Sequence, residues 1–139
     1  MAYSKQIQRF QERLEAIPKS VREAVQPALV KSAEELADQM RKLVPVDEGD
    51  LRASIKVTPP LGTTPAYSQP GGSTVAGELE AIVTVGNQDV RYAHLVEYGT
   101  SDTSAQPYFW PAVRTMRKRF QARIKRAVNK AVRDAANKS

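Results

Sequence analysis

The sequence predicts an α+β fold: long N-terminal and C-terminal helices packed on a small antiparallel sheet, with a long Pro/Gly-rich hairpin loop between the strands. Three observations predict it. Apolar residues step by threes and fours before residue 45 and after residue 111, the period of a helix with one buried stripe. Two short stretches between them, around Ile55 and Ile82, have the alternation and β-branched content of strands. Residues 59–77, which join those stretches, contain four prolines and four glycines, too irregular for a helix or a ladder.

In chain order, Ile7, Phe10, Leu14 and Ile17 lie on one stripe of a short helix that Pro18 ends. Val21, Val25, Leu29, Ala33, Leu36, Met40 and Leu43 continue the pattern in a long second helix, with a kink expected near Pro27. Its polar face carries Lys31, Glu34, Glu35, Asp38 and Arg41. Pro45 limits this helix, because the residue before a proline, here Val44, is pushed out of the helical region. An acidic turn around Gly49 follows, in which Asp47 or Asp50 can cap one helical turn. Ser54 to Thr58 then alternates as a strand with Ile55 and Val57 on one face. Leu79 to Val85, closed by Gly86 and Asn87, is the strand expected to pair with it antiparallel. Residues 59–77 become the tip of that hairpin, a flexible arm suited to ordering against a partner. Tyr92 to Tyr98 fits a short helix or a strand, and Gly99 ends it in either case. After Pro111, Val113, Met116, Phe120, Ile124, Ala127, Ala131 and Ala135 trace the last and longest helix, over 112–137. Its stripe narrows to alanines, so its end either packs closely on another helix or projects from the body.

A chain of 139 residues suits one domain, 1–139, which buries about 68% of its unfolded surface without metal or disulfide staples. It has no cysteine, so disulfides and thiolate metal sites are excluded. The first ten residues lack a signal peptide's apolar region, and no apolar run reaches bilayer-spanning length. The expectation is a chain made in the cytoplasm that neither leaves by a signal nor spans a membrane. The net charge of +6 is unevenly placed: residues 114–138 hold ten Lys and Arg against one acid, Asp134, a net +9 that leaves −3 for the remainder. Such asymmetry points to an anionic partner, an electrostatic interface or a solvated basic face.

Residues 92–112 gather five of the nine aromatics, including the only Trp. Aromatic side chains dominate cores and contact surfaces, so this region is read as the organising centre and a docking candidate. Catalysis is not indicated. A single histidine, His94, has no evident partner and nucleophile, and nucleotide-binding glycine motifs and zinc-hydrolase motifs are absent. The acids near Gly49 lack the ligand spacing of a calcium loop. Glu97, among Tyr92, Tyr98 and Trp110, is the acid best placed for an apolar setting, and pairing with Arg52 or Arg91 is its structural reading. Neither a cofactor nor a metal nor a small-molecule substrate is expected. The basic helix could contact DNA phosphates without sequence preference, and an acidic neighbouring subunit would satisfy the same charges.

Four boxes stand out by order and spacing: Val44-Pro45-Val46-Asp47-Glu48-Gly49-Asp50-Leu51-Arg52-Ala53-Ser54-Ile55, then Val85-Gly86, then Tyr92-Ala93-His94-Leu95-Val96-Glu97-Tyr98-Gly99-Thr100, then Gln106-Pro107-Tyr108-Phe109-Trp110-Pro111-Ala112. Together, over about residues 30 to 115, they resemble the gene-product-ten family of the lambda-like phage HK-ninety-seven, tail-component and head–tail joining proteins of long-tailed phages. Glu48 stands where the family pattern has Thr, and Tyr98 and Trp110 replace commoner residues. The resemblance implies a non-enzymatic α+β subunit of the virion neck or upper tail, a head–tail connector or tail-completion protein. It further implies assembly as a homo-oligomeric ring that docks on connector, tail-terminator or tail-tube proteins. The boxes then read as punctuation and packing. Gly49 and Gly99 allow turns, Pro45 and Pro111 bound helices, and Tyr92, Tyr98 and Trp110 fill the junction of sheet and helices, with Asp47, Leu51, Arg52, Ser54, Gly86, Ala93, Glu97, Thr100 and Pro107 completing the motif set. Interface or DNA-facing candidates are Arg114, Arg117, Lys118, Arg119, Arg123, Lys125, Arg126, Lys130 and Arg133.

Overall fold

A computed structural model describes residues 18–45, 48–69, 73–87 and 104–137, together with 5, 8, 9, 12, 96, 98, 99 and 101. Its elements are α1 (Lys19–Leu43), α2 (Gly49–Ala53), β1 (Lys56–Thr58), β2 (Ile82–Thr84) and α3 (Phe109–Asn137). This is the expected α+β arrangement of two long helices and a small antiparallel sheet. Of the helix expected over Ile7 to Ile17, Gln8, Arg9 and Glu12 are described and are helical; Ile7, Phe10, Leu14 and Ile17 lie outside the described residues.

The limits of α1 follow from its flanking prolines. Pro18 is extended (ψ 143°) and its carbonyl accepts the backbone N–H groups of Val21 and Arg22 at 3.0 and 3.1 Å. At the other end Pro45 forces Val44 into the extended region (ψ 135°), while the Val44 N–H still donates to the Met40 carbonyl at 3.0 Å. Pro27 sits inside α1 on its exposed side, so the Glu23 carbonyl deprived of an i+4 donor is on a solvent-facing turn.

Val21, Val25, Ala33, Ala37 and Met40 form the buried stripe of α1, and α3 runs antiparallel along it. The start of α3 meets the end of α1, where Ala112 joins Ala37, Met40 and Val44 in the main core. The end of α3 meets the start of α1, where Ala131 packs with Val21 and Val25, and Val128, Ala135, Leu29 and Leu79 close the second cluster. The alanine-tipped end therefore packs on its neighbour and does not project. Leu43, expected on the stripe, is exposed, and Val44 takes the core position at that end.

β1 pairs antiparallel with β2 in the register Lys56↔Thr84, Val57↔Val83 and Thr58↔Ile82. A two-stranded sheet is marginal by itself. Here Ile55, Val85 and Leu51 carry it into the main core, with Val57 and Val83 packed alongside. Leu79, expected in the second strand, lies in a turn before it and docks on the helix pair instead.

Within residues 59–69 and 73–77, backbone groups make ladder hydrogen bonds that composition did not suggest. Thr64 N–H donates to the Thr74 carbonyl (2.8 Å), Ala76 N–H to Gly62 (2.7 Å) and Leu61 N–H to Ala76 (3.1 Å). Thr63 bridges Val75, and Gln69 exchanges backbone bonds with Val85 at 2.8 and 3.2 Å. The reason is local: the Thr64 hydroxyl accepts the Thr74 N–H at 2.8 Å and the Ser68 hydroxyl donates to the Pro65 carbonyl at 2.6 Å, so side chains supply partners that proline cannot.

Candidate assembly surfaces

The first motif box and the Val85-Gly86 box meet at one buried serine. The Ser54 hydroxyl donates to the Leu51 carbonyl at 2.6 Å, closing the single turn of α2, and accepts the Gly86 N–H at 2.9 Å. Gly86 has φ 91°, where a side chain is strained, and this conformation aims its N–H at the serine. Leu51 is fully buried beneath them. Arg52 lies across the end of α1, its Nη2 donating to the Val44 carbonyl at 3.3 Å, with Nε buried and unpartnered. Arg41 completes the seam by donating to Asp38 and to the Ile55 carbonyl, both at 2.8 Å.

Several motif residues stand elsewhere than expected. Gly49 begins α2 with open space where a Cβ would lie and without a left-handed φ, so the turn does not require glycine. Glu48, not an aspartate, occupies the N-cap and makes no capping side-chain bond; Asp50 is exposed. Gly99, in contrast, has φ 79°, in the left-handed region that favours glycine. Pro45 and Pro111 are half-buried at helix ends, Pro111 within the first turn of α3 where no N–H is needed. Pro107 is exposed. Asp47, Arg91, Tyr92, Ala93, His94, Glu97 and Thr100 lie outside the described residues.

The aromatic box divides. Tyr108 is buried and, one helical turn before Ala112, anchors α3 in the main core with Phe109 packed beside it. Tyr98 and Trp110, expected to fill the junction, are 68% and 45% exposed. They form a surface pair: Trp110 Nε1–H donates to the Tyr98 hydroxyl at 3.0 Å, and the Phe109 and Trp110 rings meet edge to face at 4.9 Å. The cause is helical phase, since Trp110 lies about 200° around the helix from the buried Ala112. The Gln106 N–H donates to the Val96 carbonyl at 2.9 Å and joins the two aromatic segments.

The basic helix also divides. Arg123 donates to Glu35 Oε1 at 2.8 Å and to the Ser32 hydroxyl at 3.2 Å, and Arg119 reaches the same Glu35 oxygen at 3.2 Å. This bridge between α1 and α3 lies midway between the two apolar clusters. The Arg123 hydrogen bond, against the opposing effect of burial, holds the Glu35 carboxyl below its ordinary range, with the Arg123, Arg119 and Lys31 charges assisting. Glu35 was legible only as a polar-face residue of α1. Its bridging role required knowing that α3 lies antiparallel. Lys130 pairs with Asp134 at 3.3 Å on the exposed side. Arg114, Arg117, Lys118, Lys125, Arg126 and Arg133 are exposed and make no ion pair among the described residues.

The arm presents a third surface. Leu61 and Val75 lie on its paired segments and are 67% and 64% exposed; Tyr67 is half-exposed. Leu61 and Tyr67 hold φ of 69° and 62°, a conformation bulky residues rarely adopt. Its base is fixed by Glu78, whose carboxylate pairs with Arg22 at 3.2 Å and whose carbonyl accepts from Gln26 at 2.9 Å. Among the described residues no group of His, Cys, Asp and Glu could hold a metal ion. No described helix is long and apolar enough to cross a membrane.

A protein-family model described as "Bacteriophage HK97-gp10, putative tail-component" matches residues 8–99. No curated protein and no solved structure matches the chain.

Proposed function

The chain belongs to the HK97-gp10-like family of phage tail components, and from that membership we propose that it is a subunit of the virion neck or upper tail. In this reading it completes the head–tail joint by assembling as a ring and docking on connector, tail-terminator or tail-tube proteins. A ring contact is heterologous, so each copy needs two different patches that meet by rotation. The arm supplies one, because Leu61, Tyr67 and Val75 expose apolar area on a backbone held by its own ladder and by Val85. The Tyr98–Trp110 pair, near the end of α1 where Leu43 is also exposed, supplies the second, since Trp and Tyr are enriched among residues that carry binding energy.

The observation that carries the reading is the exposed apolar surface on strained backbone at Leu61 and Tyr67. Strain of this kind costs of order 1–3 kcal/mol per residue and persists where the surrounding structure over-determines it, commonly at functional sites. The test is complementation of a phage lacking this gene with Leu61→Asn, Tyr67→Asn and Val75→Thr combined, asparagine being chosen because it tolerates the left-handed region. The reading expects tailless heads and unattached tails by electron microscopy. Normal particle yield would reject it.

A further inference from the structure

We infer that the outward face of α3 is a sequence-independent binding surface for the phosphate backbone of duplex DNA, carried by Arg114, Lys118 and Lys125 with Arg117, Arg126 and Arg133 beside them. Two kinds of cation share α3. Arg119 and Arg123 share the one Glu35 carboxylate and Lys130 pairs with Asp134, so each of these three has an acidic partner within the fold, with one positive charge in excess. The other six are exposed without an acidic partner among the described residues, and their spacing is regular. Arg114, Lys118 and Lys125, separated by four and seven residues, lie on one line opposite the buried stripe. Arg126 and Arg133, seven apart, lie on the next, where with Asn129, Lys130 and Val132 they line a shallow surface depression. From Arg114 to Arg133 the helix rises about 28 Å. Over that length a duplex presents one negative charge for about every 1.7 Å of axis.

The composition of this face selects phosphate over a protein partner. The centre of a protein interface is depleted in charge and enriched in aromatic and aliphatic anchors. Here Val132 is the one large apolar residue markedly exposed on the outward side of the helix beyond its first turn. A second subunit would have to desolvate six cations for little apolar gain, whereas phosphates are met at a wet interface through counterion release. A duplex is favoured over a single strand because stacking aromatics are not interleaved with the cations: Phe120 is half-buried on the inner side, and Trp110 precedes the basic run and is held by Tyr98. The inference does not depend on ring assembly, since one copy carries the whole face.

The experiment is fluorescence anisotropy of the full chain with a labelled duplex of about 30 base pairs, repeated with a permuted sequence, across salt from about 50 to 200 mM. The expected result is equal binding of both sequences, with log K falling against log salt at a slope of about −2.7 to −4.5 for three to five phosphates engaged. Arg114→Gln, Lys118→Gln and Lys125→Gln combined should reduce that slope by about 2.7 and weaken binding at least tenfold at low salt, with an unchanged circular dichroism spectrum. Arg119→Gln, whose charge already faces Glu35, should change the slope by less than one of the three does. Absence of binding at low salt, an unchanged slope in the triple variant, tighter binding of a single strand of the same length, or displacement of DNA by poly-glutamate at equal charge would each overturn the assignment.

Discussion

Ser54 and Gly86 show why two separated boxes belong together: one hydroxyl closes α2 and holds the backbone that leaves β2. Ser54→Ala leaves the buried Gly86 N–H without its acceptor, and an unsatisfied buried group costs about 1–3 kcal/mol. Urea denaturation should show a loss of that size. The two glycines of the boxes separate in the same assay. Gly86→Ala forces a side chain to φ 91° and should cost at least about 1 kcal/mol. Gly49→Ala has room and an ordinary backbone, so it should be neutral or stabilise by up to about 1 kcal/mol. Glu35 gives the pH-dependent case. Its folded pKa lies below its unfolded one, so its contribution is fully present above the unfolded value of about 4.3 and is lost as pH falls through the folded value. Glu35→Gln should therefore lower the melting temperature near neutral pH, and its difference from the wild type should narrow as pH falls below the unfolded value and close once pH is below the folded one. A difference that stays constant with pH would contradict the bridge.

Among the elements, the helices were legible because proline and apolar period act locally. Pro18 and Pro45 set the ends of α1 wherever α3 goes, and Val21, Val25, Ala33 and Met40 needed no partner to be recognised as one stripe. The pairing of β1 and β2 was legible for the same reason, from alternation around Ile55 and Val83. What failed was whatever depended on phase between elements. Trp110 looked like core because it is large and apolar, yet the turn that buries Tyr108 and Ala112 turns Trp110 outward. The arm looked ladder-free because four prolines cannot donate, but Thr64 and Ser68 provide side-chain bonds that composition alone does not reveal. Met40 is the position where both long helices and the sheet converge in one core. Met40→Ala should cost about 2–5 kcal/mol, measured by the same denaturation, because a fully buried side chain leaves a cavity that three elements cannot close together.

At the scale of the molecule, the two long helices and the sheet form a platform whose helix pair is bridged by Glu35 and whose described surface presents an apolar arm, an aromatic edge and a basic helix face. A structural subunit of a phage tail works through such surfaces, and this chain's membership of a tail-component family supplies the setting. If copies join arm to aromatic edge, as proposed above, native mass spectrometry of the purified chain should give a closed oligomer and of the Leu61→Asn, Tyr67→Asn, Val75→Thr variant a folded monomer. A wild-type chain that stays monomeric at high concentration, or a variant that assembles to the same mass, would contradict it.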